Sequence, residues 1–260
     1  MAIGVFDSGV GGLTVYKELA KAFTDTDLIY LGDTARVPYG NKSPQVIVRY
    51  AKECARYLVT EYKVSSLIVA CNTISSYALE PLEEEFGLPV MGVIQAGSKQ
   101  ALRVTKNNKI GVIGTRATIN SGAYSRMLQS LAETAVTVEQ QACPLFVPLV
   151  EEGFISGDIP ELTAQSYLDG LIAKGIDTLI LACTHYPLLI DVIAKLYPHI
   201  NIVDSATVMV EQMHEIGLDI KETGRRKIMI TDASPAFEQL KTMLVGNIPM
   251  DVVNICSEEC

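Results

Sequence analysis

The chain has 260 residues, a length that suits one or two domains and buries a core without disulfides or a structural metal. Apolar residues make up 48% and charged residues 20%, which excludes wholesale disorder. Thirty acidic against 21 basic side chains give a formal charge of −9. That balance argues against a nucleic-acid partner, whose grip rests on Lys and Arg against phosphates.

In chain order, Ala2 to Phe6 reads as a strand, with no basic region ahead of it and hence no targeting signal. Gly12 to Ala22 reads as a helix and Leu28 to Leu31 as a second strand. Ser43-Pro44 is a helix start, with the hydroxyl as cap and Pro at the first helical position. The helix it opens carries Ile47, Tyr50, Ala51, Cys54, Tyr57 and Leu58 on one face. Leu67 to Ala70 is a buried strand, Ser75 to Phe86 a helix and Val90 to Val93 another strand. The longest uncharged stretch, Val64 to Leu79, holds six Ser, Thr and Asn side chains and cannot span a membrane, which takes roughly 20 apolar residues. A soluble, cytoplasmic protein with no membrane partner is expected. Strands separated by helices imply parallel sheets covered on both faces.

The sequence then repeats itself loosely. Ile3-Gly4-Val5-Phe6-Asp7-Ser8 is echoed by Ile110-Gly111-Val112-Ile113-Gly114-Thr115, an offset of 107 residues. Leu67-Ile68-Val69-Ala70-Cys71-Asn72-Thr73 is echoed by Leu179-Ile180-Leu181-Ala182-Cys183-Thr184-His185, an offset of 112. The expected fold class is therefore α/β: two similar parallel-sheet domains related by a pseudo-repeat, with the active site in the cleft between them. Beyond residue 205 come a helix (Ala206 to Ile216), a strand (Lys227 to Thr231), a helix (Pro235 to Leu244) and a strand (Asp251 to Asn254). This remainder is short for a third domain and is expected to pack back on one half.

The six cysteines are Cys54, Cys71, Cys143, Cys183, Cys256 and Cys260. No pair forms C-x-x-C and only His185, His199 and His214 could join them, so no metal site is expected. Most should be small buried hydrophobes. Cys71 and Cys183 differ, because ligands of open α/β sheets sit at the carboxyl ends of strands, where both fall. Each precedes a polar pair that reads as a helix start, and a helix N-terminus lowers a thiol pKa from about 8.5. Either cysteine alone reads as core. The two together, in matched contexts, read as a functional pair. A Cys-His hydrolase needs one nucleophile and a different base, whereas inversion at carbon in both directions needs two similar groups, one on each side. No lysine context suggests a pyridoxal Schiff base, so no cofactor is expected.

Asp7 and Ser8 precede Gly9, Gly11 and Gly12. Thr14 breaks G-x-G-x-x-G and no Walker motif occurs, so the segment is a tight strand-to-helix turn, a carboxylate-gripping set of amides, or both. Asp33 reads equally as a turn or cap residue, and Asn72, Thr73, Thr115, Thr118 and Thr184, each taken alone, read more readily as helix caps than as ligand contacts.

Six segments together carry a resemblance to the glutamate racemases: Gly-Val-Phe-Asp-Ser-Gly-Val-Gly-Gly-Leu-Thr-Val (4–15), Gly-Asp-Thr-Ala-Arg-Val-Pro-Tyr-Gly (32–40), Val-Ala-Cys-Asn-Thr (69–73), Gly-Thr-Arg-Ala-Thr (114–118), Pro-Leu-Val-Glu (148–151) and Leu-Ala-Cys-Thr-His-Tyr-Pro-Leu (181–188). The match runs from about residue 3 to about residue 232. It implies a cofactor-independent enzyme that interconverts L- and D-glutamate for peptidoglycan, and a homodimer. Cys71 would then act on the D-enantiomer and Cys183 on the L-enantiomer. Asp7 and Ser8 would contact substrate, with Asp7 assisting Cys71 and Asp33 a possible second helper. The backbone at Tyr39 and Gly40 would meet the side-chain carboxylate. Asn72, Thr73, Thr115, Thr118 and Thr184 would bind the α-carboxylate and amino groups, and Glu151 and His185 would partner Cys183. The resemblance also implies two domains, 1–95 with 205–260 and 96–204. His199, His214 and the Cys256/Cys260 end lie outside the pattern.

Two other readings remain: a related two-cysteine racemase for aspartate or hydantoins, and an amino-acid-binding protein without catalysis. Because an α-carbon is a very weak acid, a catalytic cleft is expected to close over its substrate and exclude water.

Overall fold

The computed structural model describes residues 2–215 and 222–255. Strand β1 (Ala2–Asp7) is buried from its second residue onward. A glycine-rich turn leads into α1 (Leu13–Ala22) and then β2 (Asp27–Gly32). One-turn 3-10 helices at Thr34–Arg36 and Tyr39–Asn41 precede α2 (Pro44–Tyr62). Helix α2 starts where the sequence places it. Ser43 Oγ accepts the Val46 amide at 3.4 Å, and Pro44 takes the first position. Its Ile47, Ala51, Cys54 and Leu58 are buried, and Tyr50 and Tyr57 are half-buried.

Next come β3 (Ser66–Val69), α3 (Asn72–Ser75), α4 (Leu79–Phe86), β4 (Val90–Gly92) and α5 (Val93–Val104). The helix expected over Ser75 to Phe86 is thus two pieces. Ser75 Oγ donates to the Val69 carbonyl at 3.0 Å and Ser76 Oγ to the Asn72 carbonyl at 2.8 Å. Hydroxyls that serve backbone carbonyls in this way compete with helix propagation. The strand expected over Val90 to Val93 also ends early, at Gly92, because Val93 already begins α5.

The second half holds β5 (Lys109–Gly114), α6 (Arg116–Ser121), α7 (Ala123–Leu131), β6 (Thr137–Ala142), α8 (Phe146–Glu151), α9 (Asp158–Ile172), β7 (Thr178–Ala182), α10 (Ile190–Leu196) and β8 (Asn201–Asp204). The chain closes with α11 (Ser205–Glu215), β9 (Arg226–Ile230), α12 (Pro235–Val245) and β10 (Met250–Val252). Ile216, the expected end of α11, and Cys256 and Cys260 lie outside the described residues.

Two all-parallel sheets result, ordered β10-β9-β2-β1-β3-β4 and β6-β5-β7-β8. The run β2-β1-β3-β4 corresponds strand for strand to β6-β5-β7-β8, so the echo in sequence is an echo in topology. The late strands β9 and β10 extend the first sheet past β2, and α12 packs against α1 of the same half. The corresponding strands β3 and β7, one in each sheet, are buried throughout, as strands covered on both faces must be. One apolar cluster links the α1 face of the first sheet to the α8, α9 and α10 side of the second. Helix α11 packs on both α1 and α5 and ties the halves together behind the cleft. Among the described residues no helix is long and apolar enough to cross a membrane.

Arg226 fastens the late strands to the first half. Its guanidinium donates to the carbonyls of Phe23 at 2.8 Å, Thr24 at 3.2 Å, Ala20 at 3.3 Å and Thr26. Arg226→Met keeps the aliphatic stem but leaves these carbonyls without their donor. A loss of about 2 kcal/mol in urea unfolding is expected, as for a charged hydrogen-bonding group. An unchanged midpoint would show that β9 docks by packing alone.

Candidate active site

Cys71 follows β3 by two residues and Cys183 follows β7 by one. Both thiols line one cavity of about 250 Å³. That volume lies just below the roughly 300–1,000 Å³ typical of ligand pockets and suits a small molecule. Cys71 is 5% exposed and Cys183 7%.

The two thiols have different neighbours. Cys71 Sγ lies 3.5 Å from Ser8 Oγ. Behind it sits Asp7, fully buried, whose Oδ2 accepts the amides of Gly9 and Gly12 at 3.0 Å each. The glycine-rich turn therefore grips a carboxylate of its own chain. Burial lifts the Asp7 carboxyl above its usual range, against the charge of His185 and the two amides. Burial, and then the Asp7 charge, push the Cys71 thiol up to about 12. The sequence expectation that a helix start would lower this thiol fails. Helix α3 has only four residues, so its terminal amides offset little of the desolvation of a buried sulfur.

Cys183 Sγ lies 3.9 Å from His185 Nδ1, and His185 Nε2 lies 3.2 Å from Glu151 Oε1. The latter is an ionic contact rather than an aligned hydrogen bond, since Nε2 has no partner of hydrogen-bonding geometry. The expected helix start after Cys183 is absent, because a turn and a 3-10 helix over Tyr186–Leu189 follow instead. Here too a glycine sets the spacing. A Cβ on Gly11 would meet Thr184 Oγ1 and come within 2.7 Å of His185 Nδ1.

The other candidates fall into two groups. Ser8, Tyr39, Gly40, Asn72, Thr73, Thr115, Glu151, Thr184 and His185 line the cavity with the two cysteines. Asp7, Asp33 and Thr118 stand behind the wall. Thr118 closes a triangle of hydroxyls, Thr73 to Thr115 at 2.9 Å, Thr73 to Thr118 at 3.2 Å and Thr115 to Thr118 at 3.0 Å. Asp33 accepts from Arg36 Nε at 2.6 Å, from Thr231 Oγ1 at 2.9 Å and from the Tyr39 hydroxyl. Its carboxylate thereby holds the Val37–Asn41 wall to β9. His199 is exposed, and His214 stacks on Phe23 at 4.6 Å, so neither approaches the site.

Sequence reading missed Arg116, which brings a positive charge to the cavity, and the apolar lining from Val37, Pro144, Val147 and Pro148. Arg116 sits inside the quoted Gly-Thr-Arg-Ala-Thr segment, and the paired prolines before Glu151 could have marked the lining. Among the described residues no group of three or more His, Cys, Asp or Glu side chains is arranged to hold a metal.

Burial opposes a charged His185 ring, but Cys183 and Glu151 outweigh it and lift the ring to about 10. The folded value lies above the ordinary 6.5, so the stabilisation is complete below about pH 6.5 and fades as pH rises through about 10. NMR of the ring should show it protonated throughout neutral pH, and Glu151→Gln should move its titration downward. A ring titrating near 6.5 would contradict the pairing.

Residues 3–213 match the family described as Asp/Glu/Hydantoin racemase. The chain is 57% identical over 255 residues to the glutamate racemase of a Sulfurihydrogenibium species, covering 98% of each chain. It also resembles the solved glutamate racemase of Francisella tularensis in complex with D-glutamate, at 35% identity and a TM-score of 0.90, covering 98% of this chain and 97% of that one. The Aquifex pyrophilus glutamate racemase structure matches at 46% identity and a TM-score of 0.84, covering 97% and 98%. With a family match over most of its length and relatives this similar from end to end, the chain belongs to the Asp/Glu/Hydantoin racemase family.

Proposed function

We propose that this chain interconverts L- and D-glutamate without a cofactor, using Cys71 and Cys183 as the two acid–base groups. The observation that carries the reading is the meeting of both thiols on the wall of one small cavity. The names of its relatives support glutamate as the substrate.

In the L-to-D direction the Cys183 sulfur, as thiolate, takes the α-proton. The Cα–H bond breaks, its electron pair stays on carbon, and the Cys71 S–H delivers a proton to the opposite face. A Cys71 thiol raised to about 12 rests in the protonated form that this direction requires. His185 and Glu151 accompany the proton at Cys183. In the reverse direction Cys71 must give up its own proton first, and buried Asp7 behind it, whose Oδ1 has no hydrogen-bond partner, is the acceptor. Acid–base groups supply about 10²–10⁴-fold, so much of the acceleration must come from donors aimed at the developing carboxylate charge and from excluding water. Asn72, Thr73, Thr115 and Thr184 supply donors on the cavity wall, Thr118 supports them, and the backbone at Tyr39 and Gly40 meets the side-chain carboxylate. Asp33 acts by holding the Tyr39 wall in place.

The two sheets correspond to two domains, 1–95 with 205–260 and 96–204, which close on the substrate. The product supplies D-glutamate for peptidoglycan in the cytoplasm, and the working unit is a homodimer.

Cys71→Ser and Cys183→Ser should each lower racemisation of L-glutamate by at least a hundredfold with the fold retained, as followed by circular dichroism. In D₂O the product should carry deuterium at Cα without added pyridoxal phosphate. Near-normal turnover by either variant would refute the two-base reading. Turnover of L-aspartate in place of L-glutamate would move the substrate assignment.

A further inference from the structure

The first residue of α3, Asn72, is 2% exposed and lines the cavity. Its side-chain oxygen Oδ1 accepts the Tyr124 hydroxyl at 2.7 Å, and its Nδ2 is buried without a protein partner. Tyr124 is 1% exposed and belongs to α7, on the second sheet's side of the cleft, whereas Asn72 belongs to the first. An amide donates from one end and accepts at the other. Whichever end is satisfied by the protein decides what the other offers to a ligand. A phenol is a better donor than acceptor, so Tyr124 favours the amide oxygen on its own side and leaves the –NH₂ group for the cavity.

We propose that Tyr124 is a positioning residue for substrate binding: its hydroxyl, reaching across the cleft, fixes the Asn72 amide so that Nδ2 donates to a substrate carboxylate. The inference rests on the glutamate-racemase reading and adds to it. A buried donor with no partner carries a desolvation cost that a carboxylate removes. The bond joins the two halves, so the donor is oriented only when they meet. A second cross-cleft bond, from the Tyr77 hydroxyl to the Ala117 carbonyl at 2.8 Å, holds the same seam shut.

Tyr124→Phe removes the hydroxyl and keeps the ring. It should raise KM for both glutamate enantiomers about tenfold while kcat changes less than threefold, the scale of one lost hydrogen bond. In an Asn72→Ala background the same substitution should add nothing, because its target is gone. A merely structural role would lower thermal stability, leave KM in place and persist in that background. Either an unchanged KM or additive effects would overturn the proposal. Asn72→Asp gives a second route should Tyr124→Phe fold poorly. It keeps an acceptor for Tyr124 but puts oxygen where the donor was, so KM should rise at least as far, and a retained KM would overturn the proposal. Wild-type protein that did not racemise glutamate would overturn the functional reading and this inference together. Wild-type turnover lost in Cys71→Ser, beside an unaffected Tyr124→Phe, would sink only the inference.

Discussion

The constraint on which the molecule depends is the register that brings two strand ends to one place. In the first sheet β1 pairs Phe6 with Val69 of β3, and in the second β5 pairs Gly114 with Ala182 of β7. Each pairing ends just before a cysteine. Strand direction and burial then leave little freedom. A shift of one residue would turn the apolar set of each strand to the opposite face, and a shift of two would carry the sulfur away from the cavity. Both cysteines thus sit at the ends of buried central strands, with loops and the helices α3, α6 and α8 supplying the rest of the lining.

The halves are alike in topology and unlike in chemistry. Behind Cys71 lies a carboxylate anchored by two amides, and beside Cys183 a histidine held against a glutamate. One sulfur is backed by a buried carboxylate and the other lies beside an imidazole. Two nearly repeated frames therefore present a pair of thiols in unlike surroundings on the wall of one pocket. Glycines keep these partners close. At Gly12 a Cβ would lie 2.5 Å from the Asp7 Cβ, and at Gly40 one would lie 2.7 Å from the Thr115 Cβ.

What could be read from the sequence follows from burial. The strands β1, β3 and β7 are continuous apolar runs, and Cys71 and Cys183 stood out because their settings repeat. The edge strand β6, Thr-Val-Glu-Gln-Gln-Ala, is only half-buried and carries no apolar run to betray it. The break between α3 and α4 depends on where two serine hydroxyls point, which no periodicity records. The state of the Cys71 thiol depends on desolvation by neighbours distant in sequence, so reasoning from a helix start gave the wrong direction. Tyr124 was invisible for a similar reason. On its own helix it is one more buried aromatic, and its role comes from a residue 52 positions away.

The sheet order also bears on how the protein is made. A ribosome emits β1, β2, β3 and β4 first, yet β9, which covers the open side of β2, comes from residues 226–230. Throughout synthesis of the second half, which can pair all four of its own strands at once, β2 presents an unpaired edge to the crowded cell. Such edges invite foreign strands. The half that is begun first is finished last, and a nascent chain stalled before residue 226 would be most exposed to aggregation along β2.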